Sequence, residues 1–311
     1  MISKPKLPRV YPGELCQPDA RNALVPAPHV VLSVADDTEL QAVHRWLMDR
    51  PLADLLRYAA DSAVKYVLDG ARTWRFDLLD PAVDSDERAT VGTKLQYHII
   101  QQLGLTKAPP LDTTIAGIAV EIKGTVRTTW MIPREGQCQV TMLVRIDAKG
   151  QRFAVWLMRT HRVWLTSGDG NGDKKRSPLA RDFSDFAIPL VPWTALPPEP
   201  LRDLSRAELD VVFGNGGLRS RLVALFSFLP EVVIPRGSIA VVGAGLHDPM
   251  KRAREAKVEL RELHGLVVLV GTWTEEREAA ERIGFDISEE SWVSIPLAKF
   301  AALGIPVPAP R

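Results

Sequence analysis

Apolar residues recur at helical spacing from residue 40 onward. Leu40, Val43, Trp46 and Leu47 make one stripe, and Leu55, Leu56, Ala59, Ala63 and Val67 make a second. Asp36 or Asp37 is placed to cap the first helix, with Glu39 in its opening turn. The second helix runs from about Leu52 to Leu68, and Gly70 stops it. The spacing predicts a third helix from Thr90 to Leu103, ended by Gly104. Val91, Leu95, Ile99, Ile100 and Leu103 take its apolar side, while Lys94, Gln96, His98 and Gln102 take the others. The polar run 84–88 reads as a loop, and residues 74–79 as a compact connector.

The period then shortens to that of a strand. Residues 112–123 form two strand-like runs hinged at Gly117, and Gln139–Ile146 and Arg152–Met158 are β-rich partners around a turn at 147–150. Together they predict a mixed sheet flanked by the upstream helices, an α/β arrangement. Pro189, Pro192, Pro197, Pro198 and Pro200 mark a domain boundary. Beyond it, helices carry Leu204, Leu209, Leu218, Leu222, Leu225 and Phe226, and Gly237–Gly243 is a short apolar segment. Asp248 and Pro249 open a basic helix to His264, with Val258, Leu260 and Leu263 expected to face inward. A strand at 266–270 and a charged helix at 275–282 follow. Residues 1–35 are proline-punctuated and read as an arm that packs on the body, with a short strand at 29–34. The expected division is therefore an arm over 1–35, a first domain over 36–196 and a second over 201–311.

Composition narrows the function classes. The chain has 311 residues, is 46% hydrophobic and carries a net charge of +1, so any nucleic-acid surface must come from local segregation of charge. Eight Lys/Arg against five acids between 215 and 264 give one such excess, concentrated at Lys251, Arg252 and Arg254. No apolar run reaches membrane-spanning length and the start lacks a signal-peptide core, so a cytoplasmic location and no membrane partner are expected. Cys16 and Cys138 are far apart and read as neither a disulfide framework nor a zinc site, and His29 reads as a packing residue.

The candidate chemistry lies in the hairpin. Side chains alternate along a strand, so Glu121 and Lys123 point one way and Ile122 points into the core, while Asp112 can fold back beside them. Two carboxylates and an ammonium on one rim suit a hard divalent cation and a water aimed at a phosphodiester. The same residues also suit a surface hairpin with an ordinary ion pair. Residues 166–176 form a glycine-rich stretch with a basic end and no P-loop order. Candidates for DNA contact are Arg127, Arg134, Lys174, Lys175 and Arg176 in the first domain, and Lys251, Arg252 and Arg254 in the second.

Several separated segments together resemble the NaeI family of type II restriction endonucleases, within the PD-(D/E)xK nucleases. The carriers are Val91-Gly-Thr-Lys-Leu-Gln96, the whole of Asp112–Lys123, Trp130-Met-Ile-Pro-Arg-Glu135, Asp173-Lys-Lys-Arg-Ser-Pro178, Met250-Lys-Arg252 and Gly265-Leu-Val-Val-Leu-Val-Gly271. The similarity runs from about residue 36 to about residue 296 and leaves the arm unaccounted for. It implies a restriction-endonuclease-like mixed sheet flanked by helices, plus a smaller winged-helix-like α+β DNA-binding domain. It also implies a homodimer that uses Mg2+, and no organic cofactor, to cut double-stranded DNA at a palindrome. As a type II site-specific deoxyribonuclease it would leave 5′-phosphate ends, with a second DNA site bound by the C-terminal domain. Carried onto this chain, Asp112 and Glu121 are metal ligands and Lys123 orients the attacking water and stabilises charge on the phosphate. The family's additional acid falls at Gln96, which supplies no negative charge. That departure keeps open a DNA-binding protein with a degenerate nuclease domain. A modification-dependent or nicking nuclease is a further alternative.

Overall fold

A five-stranded sheet carries the hairpin at its edge. The computed structural model describes residues 9–22, 24–166, 174–214, 216–288 and 290–309, so most of the glycine-rich stretch, residues 167–173, lies outside the described residues. In chain order the first elements are β1 (Leu15–Cys16), β2 (His29–Val30), α1 (Thr38–Met48), α2 (Leu52–Leu68), α3 (Gly70–Thr73) and α4 (Ser85–Gln102). Then come β3 (Thr113–Ile115), β4 (Ile118–Thr125), β5 (Val140–Asp147), β6 (Arg152–Arg159), α5 (Ala180–Phe186) and β7 (Ile188–Ala195). The remainder is α6 (Arg206–Val212), α7 (Leu218–Phe228), β8 (Val233–Ile234), α8 (Arg236–Val242), α9 (Pro249–His264), β9 (Leu266–Val270), α10 (Thr274–Ile283), β10 (Trp292–Pro296) and α11 (Leu297–Leu303). The described residues up to Val67 and from Leu78 to Pro197 form one compact unit, and Leu68–Asp77 joins the residues from Pro198 onward in another.

In the first unit the strand order is β3-β4-β5-β6-β7, with β4 and β5 parallel and the other pairs antiparallel. The architecture is thus a mixed α/β sheet with helices. The β3–β4 loop is two residues long, Ala116 and Gly117, both at positive φ (52° and 79°), as a tight hairpin matched to strand twist requires. Pro189 and Pro192 lie inside β7 rather than in a linker. β7 is an edge strand, where a missing N–H costs no ladder bond, and its pairing with β6 is irregular. Buried Trp130 fixes the segment after β4, its indole N–H donating to the Val144 carbonyl at 2.9 Å.

Two helix readings change. Residues 84–88 are not a loop: Asp84 caps α4 by accepting from the amides of Asp86 and Glu87, at 2.8 and 2.7 Å. The acids that made the run look like a loop are its cap and first turn, where they face the positive end of the helix dipole. On α9, Leu260 is buried as expected, but Val258 and Leu263 are 45% and 74% exposed, and Ala253, Ala256 and Lys257 complete the buried face. A buried ion pair causes the rotation. Lys257 lies 2.8 and 2.9 Å from the Glu276 oxygens, and Glu276 also accepts the Val270 amide.

The second unit packs β8-β10-β9, all antiparallel, against helices around Leu222, Phe226, Leu260 and Trp292. Residues 237–243, read as a short apolar segment, belong mostly to α8. Trp74 and Phe76, read as a connector, stack on Phe213 with ring centroids 5.7 and 5.8 Å apart. Among the described residues no helix is long and apolar enough to cross a membrane.

Candidate active site

The site is assembled where α4 meets β4. Gly92 on α4 and Gly124 on β4 face each other so closely that a Cβ on Gly92 would sit 2.5 Å from the Gly124 carbonyl oxygen. That approach brings the next turn of α4, with Gln96, down to the strand. The Gln96 amide donates a hydrogen bond to Asp112 Oδ1, and Asp112 Oδ2 accepts the Ile122 amide at 2.8 Å. Asp112 is therefore held across the hairpin to β4, two bonds fixing both its oxygens. Lys123 Nζ lies 2.6 Å from Glu121 Oε1, and Ile122 between them is buried. Asp112, Glu121, Lys123 and Gln96 meet in one place.

The electrostatics of this group are unbalanced. Asp112 and Glu121 are 7% and 3% exposed. Burial pushes both carboxyls up. Glu121 reaches about 7 because the charges of Asp112 and Glu135 add to burial and outweigh the Lys123 ammonium. Glu135 has no role in the sequence motif, although Glu121 feels its charge. Gly136, next in the chain, packs against the Glu121 side chain, where a Cβ would lie 3.1 Å from Cγ.

A cleft of about 310 Å³ opens beside the group, lined by Gln96, Lys123, Arg127, Met131 and Lys175 among others. Arg127 is exposed there. Arg134 and Arg176 are used elsewhere. Arg134 lies 3.6 Å from Asp19 of the arm, and its carbonyl accepts from Asn22. Arg176 is 7% exposed, its guanidinium donates to the Thr166 carbonyl, and its backbone pairs with Ile132 at 2.7 and 2.9 Å. Lys174 is half-buried and its carbonyl accepts from Gln137. In the second unit Lys251, Arg252 and Arg254 are exposed on the first turns of α9, Arg252 pairing with Glu255 at 2.6 Å. Lys257, counted in the basic excess of this region, is buried against Glu276 and contributes nothing to an outer surface.

The family model described as restriction endonuclease NaeI matches residues 48–307 of the chain. No curated protein matches it.

Proposed function

Because the chain belongs to the NaeI restriction endonuclease family, we propose that it is a sequence-specific, Mg2+-dependent endonuclease cutting double-stranded DNA at a palindrome. The observation that carries this reading is the meeting of Asp112, Glu121 and Lys123 beside a cleft rimmed by Arg127 and Lys175. The donor set fits a hard cation. It consists of carboxylate oxygens, and both carboxyls are buried and held above their ordinary values, a cost that a divalent ion beside them offsets. Asp112 and Glu121 would hold the ion. When bound, magnesium supplies charge neutralisation at the phosphodiester and a more acidic water.

The chain's own residues do the rest. Asp112 is oriented by the Ile122 amide and Gln96, so its oxygens are positioned before substrate arrives. Lys123 lies against Glu121, placed to orient the attacking water and to stabilise charge developing on the phosphate. Arg127 and Lys175 contact the DNA backbone, which fixes register without reading sequence. Attack in line would leave a 3′ hydroxyl and a 5′ phosphate. The chain acts as a homodimer, and the second unit, a winged-helix-like module, takes a second copy of the site through Lys251, Arg252 and Arg254. A cytoplasmic location and a restriction-modification context go with this reading.

Gln96 favours a second reading, a DNA-binding protein whose nuclease centre has lost activity, since an amide occupies the place of the family's third acid. Plasmid digestion with and without Mg2+ separates the two. On the proposed reading, Asp112→Ala and Lys123→Ala abolish cleavage and retain DNA binding in a gel-shift assay. Cutting at the wild-type rate by either variant overturns the site assignment.

A further inference from the structure

The arm and the first unit's body bring together two cysteines and two histidines from four separate places in the sequence. Cys16 and His29 are cross-strand partners on β1 and β2. Cys138 lies just before β5, and His161 lies just after β6. Cys16, Cys138 and His161 are buried and His29 is partly so, and ligand atoms from all four lie within 4.8 Å of one another. We propose that these residues form a structural zinc site that pins the N-terminal arm to the body of the first unit.

The spacings within the cluster match those of a tetrahedral ion. Zinc with bonds of about 2.3 Å to sulfur and about 2.0 Å to nitrogen, at tetrahedral angles, places two sulfurs about 3.8 Å apart and two nitrogens about 3.3 Å apart. Here Cys16 Sγ and Cys138 Sγ are 3.7 Å apart, and His29 Nε2 and His161 Nδ1 are 3.1 Å apart. A disulfide would need sulfurs at about 2.05 Å, and both cysteines are free. His29 Nδ1 donates to the Ala27 carbonyl at 3.4 Å, which leaves the lone pair on Nε2, facing the other ring. Two ring nitrogens facing at that distance need a proton or a metal between them. A proton between the nitrogens and a thiol hydrogen between the sulfurs would satisfy the two pairs separately, whereas one tetrahedral ion accounts for both spacings and for all four atoms lying together.

The surroundings suit thiolates. The Arg162 amide donates to Cys138 Sγ at 3.4 Å, and the Val163 amide donates to Cys16. Cys138 is held at a φ of 66°, a left-handed conformation that a side chain adopts only when its neighbours hold it there. Two thiolates and two imidazoles are a borderline-soft set that selects zinc over magnesium. Four protein ligands also leave no open position, as in a structural rather than a catalytic centre. The site is separate from the cluster of Asp112 and Glu121, and Cys16 and His29 lie outside the residues that the family model matches. Its structural reach is through Asn22, which donates to the carbonyls of Arg134 and Gln137, the turn whose Gly136 packs on Glu121.

The test uses the full untagged chain, purified under reducing conditions and desalted. Elemental analysis is expected to find about one zinc per chain. Cobalt in place of zinc is expected to give the intense visible bands of a tetrahedral ion and a thiolate charge-transfer band. Cys16→Ser and His29→Gln should lose the zinc, whereas Asp112→Ala should keep it. Stripping the metal should expose the arm to limited proteolysis. A wild-type chain without zinc that gives only octahedral cobalt spectra overturns the proposal. So does zinc that Asp112→Ala removes and Cys16→Ser leaves in place. The cobalt spectrum of the wild type needs no variant to fold, and none of these readouts depends on DNA cleavage.

Discussion

At the scale of single residues, the site turns on a neutral side chain among charges. Gln96 donates to Asp112 where a third carboxylate would repel it, so this centre reaches its geometry with less negative charge. On the proposed reading, two ligating carboxylates rather than three should hold a divalent ion more weakly. Gln96→Glu is therefore expected to lower the Mg2+ concentration needed for half-maximal cleavage by about tenfold, equivalent to about 1.4 kcal/mol. A magnesium titration of plasmid cleavage checks it, and an unchanged midpoint would place Gln96 outside the ion's immediate surroundings. The residue types of this centre were legible in the sequence because strand alternation puts Glu121 and Lys123 on one side by rule. The contribution of Glu135 was not, since its influence on Glu121 depends on a turn that returns to β4 from the far end of the sheet's crossover. The Cys and His cluster was hidden for a related reason. Its ligands come from one cross-strand pair in the arm and from the residues that flank the start of β5 and the end of β6, and no short Cys or His spacing announces them.

At the scale of elements, the decisive contacts are those that hold helices to the sheet. The Gly92 and Gly124 pair removes both side chains at the crossing of α4 and β4, and a methyl on Gly92 would meet a backbone oxygen that has no room to retreat. Gly92→Ala is expected to cost about 1–3 kcal/mol of stability, as overpacking does. It should also lower cleavage more than DNA binding, because it lifts Gln96 away from Asp112. Chemical denaturation and single-turnover cleavage measure the two effects. On the other flank Asp37 caps α1 through the Leu40 amide, and it takes Arg159 of β6 with both oxygens, at 2.5 and 2.9 Å. Burial pushes its carboxyl up, but the Arg159 and Leu40 hydrogen bonds and the Arg159 charge outweigh that and hold it below its ordinary value. A depressed carboxyl stabilises the fold above its unfolded value, and that stabilisation disappears as pH falls through the folded one. Asp37→Asn is thus expected to cost about 3–5 kcal/mol near neutral pH, as breaking a buried pair does. The gap from wild type should narrow in acid. Denaturation curves at neutral and acidic pH test this, and a gap that widens on acidification would contradict it. In the sequence Asp36 and Asp37 are equal candidates for this cap and its partner is hidden, because Arg159 reaches Asp37 only once β6 lies in the sheet.

At the scale of the whole molecule, the chain folds as two compact units. The sequence placed the basic excess of the second unit on α9, and the structure sharpens which charges count. Lys257 is consumed by Glu276 in the interior, while Lys251 and Arg254 remain exposed on the first turns. Periodicity could not have shown this, because a lysine at a helical position looks the same whether it meets water or a buried glutamate. On the proposed reading these exposed cations meet phosphates of a second DNA site, and each contact releases counterions. The dependence of log affinity on log salt should then flatten by about 0.9 for each cation removed. Lys251→Ala and Arg254→Ala are accordingly expected to weaken binding to all sequences alike and to reduce the salt slope by about one each. Lys257→Ala should destabilise the second unit instead. Once the cleavage site is mapped, a plasmid with two copies should be cut faster than one with a single copy, and the Lys251→Ala, Arg254→Ala double variant should lose that advantage. Fluorescence anisotropy across a salt series and cleavage time courses on the two plasmids make the measurement. Unchanged slopes together with an unchanged two-site advantage would remove α9 from the DNA-binding surface and leave the first unit to account for binding by itself.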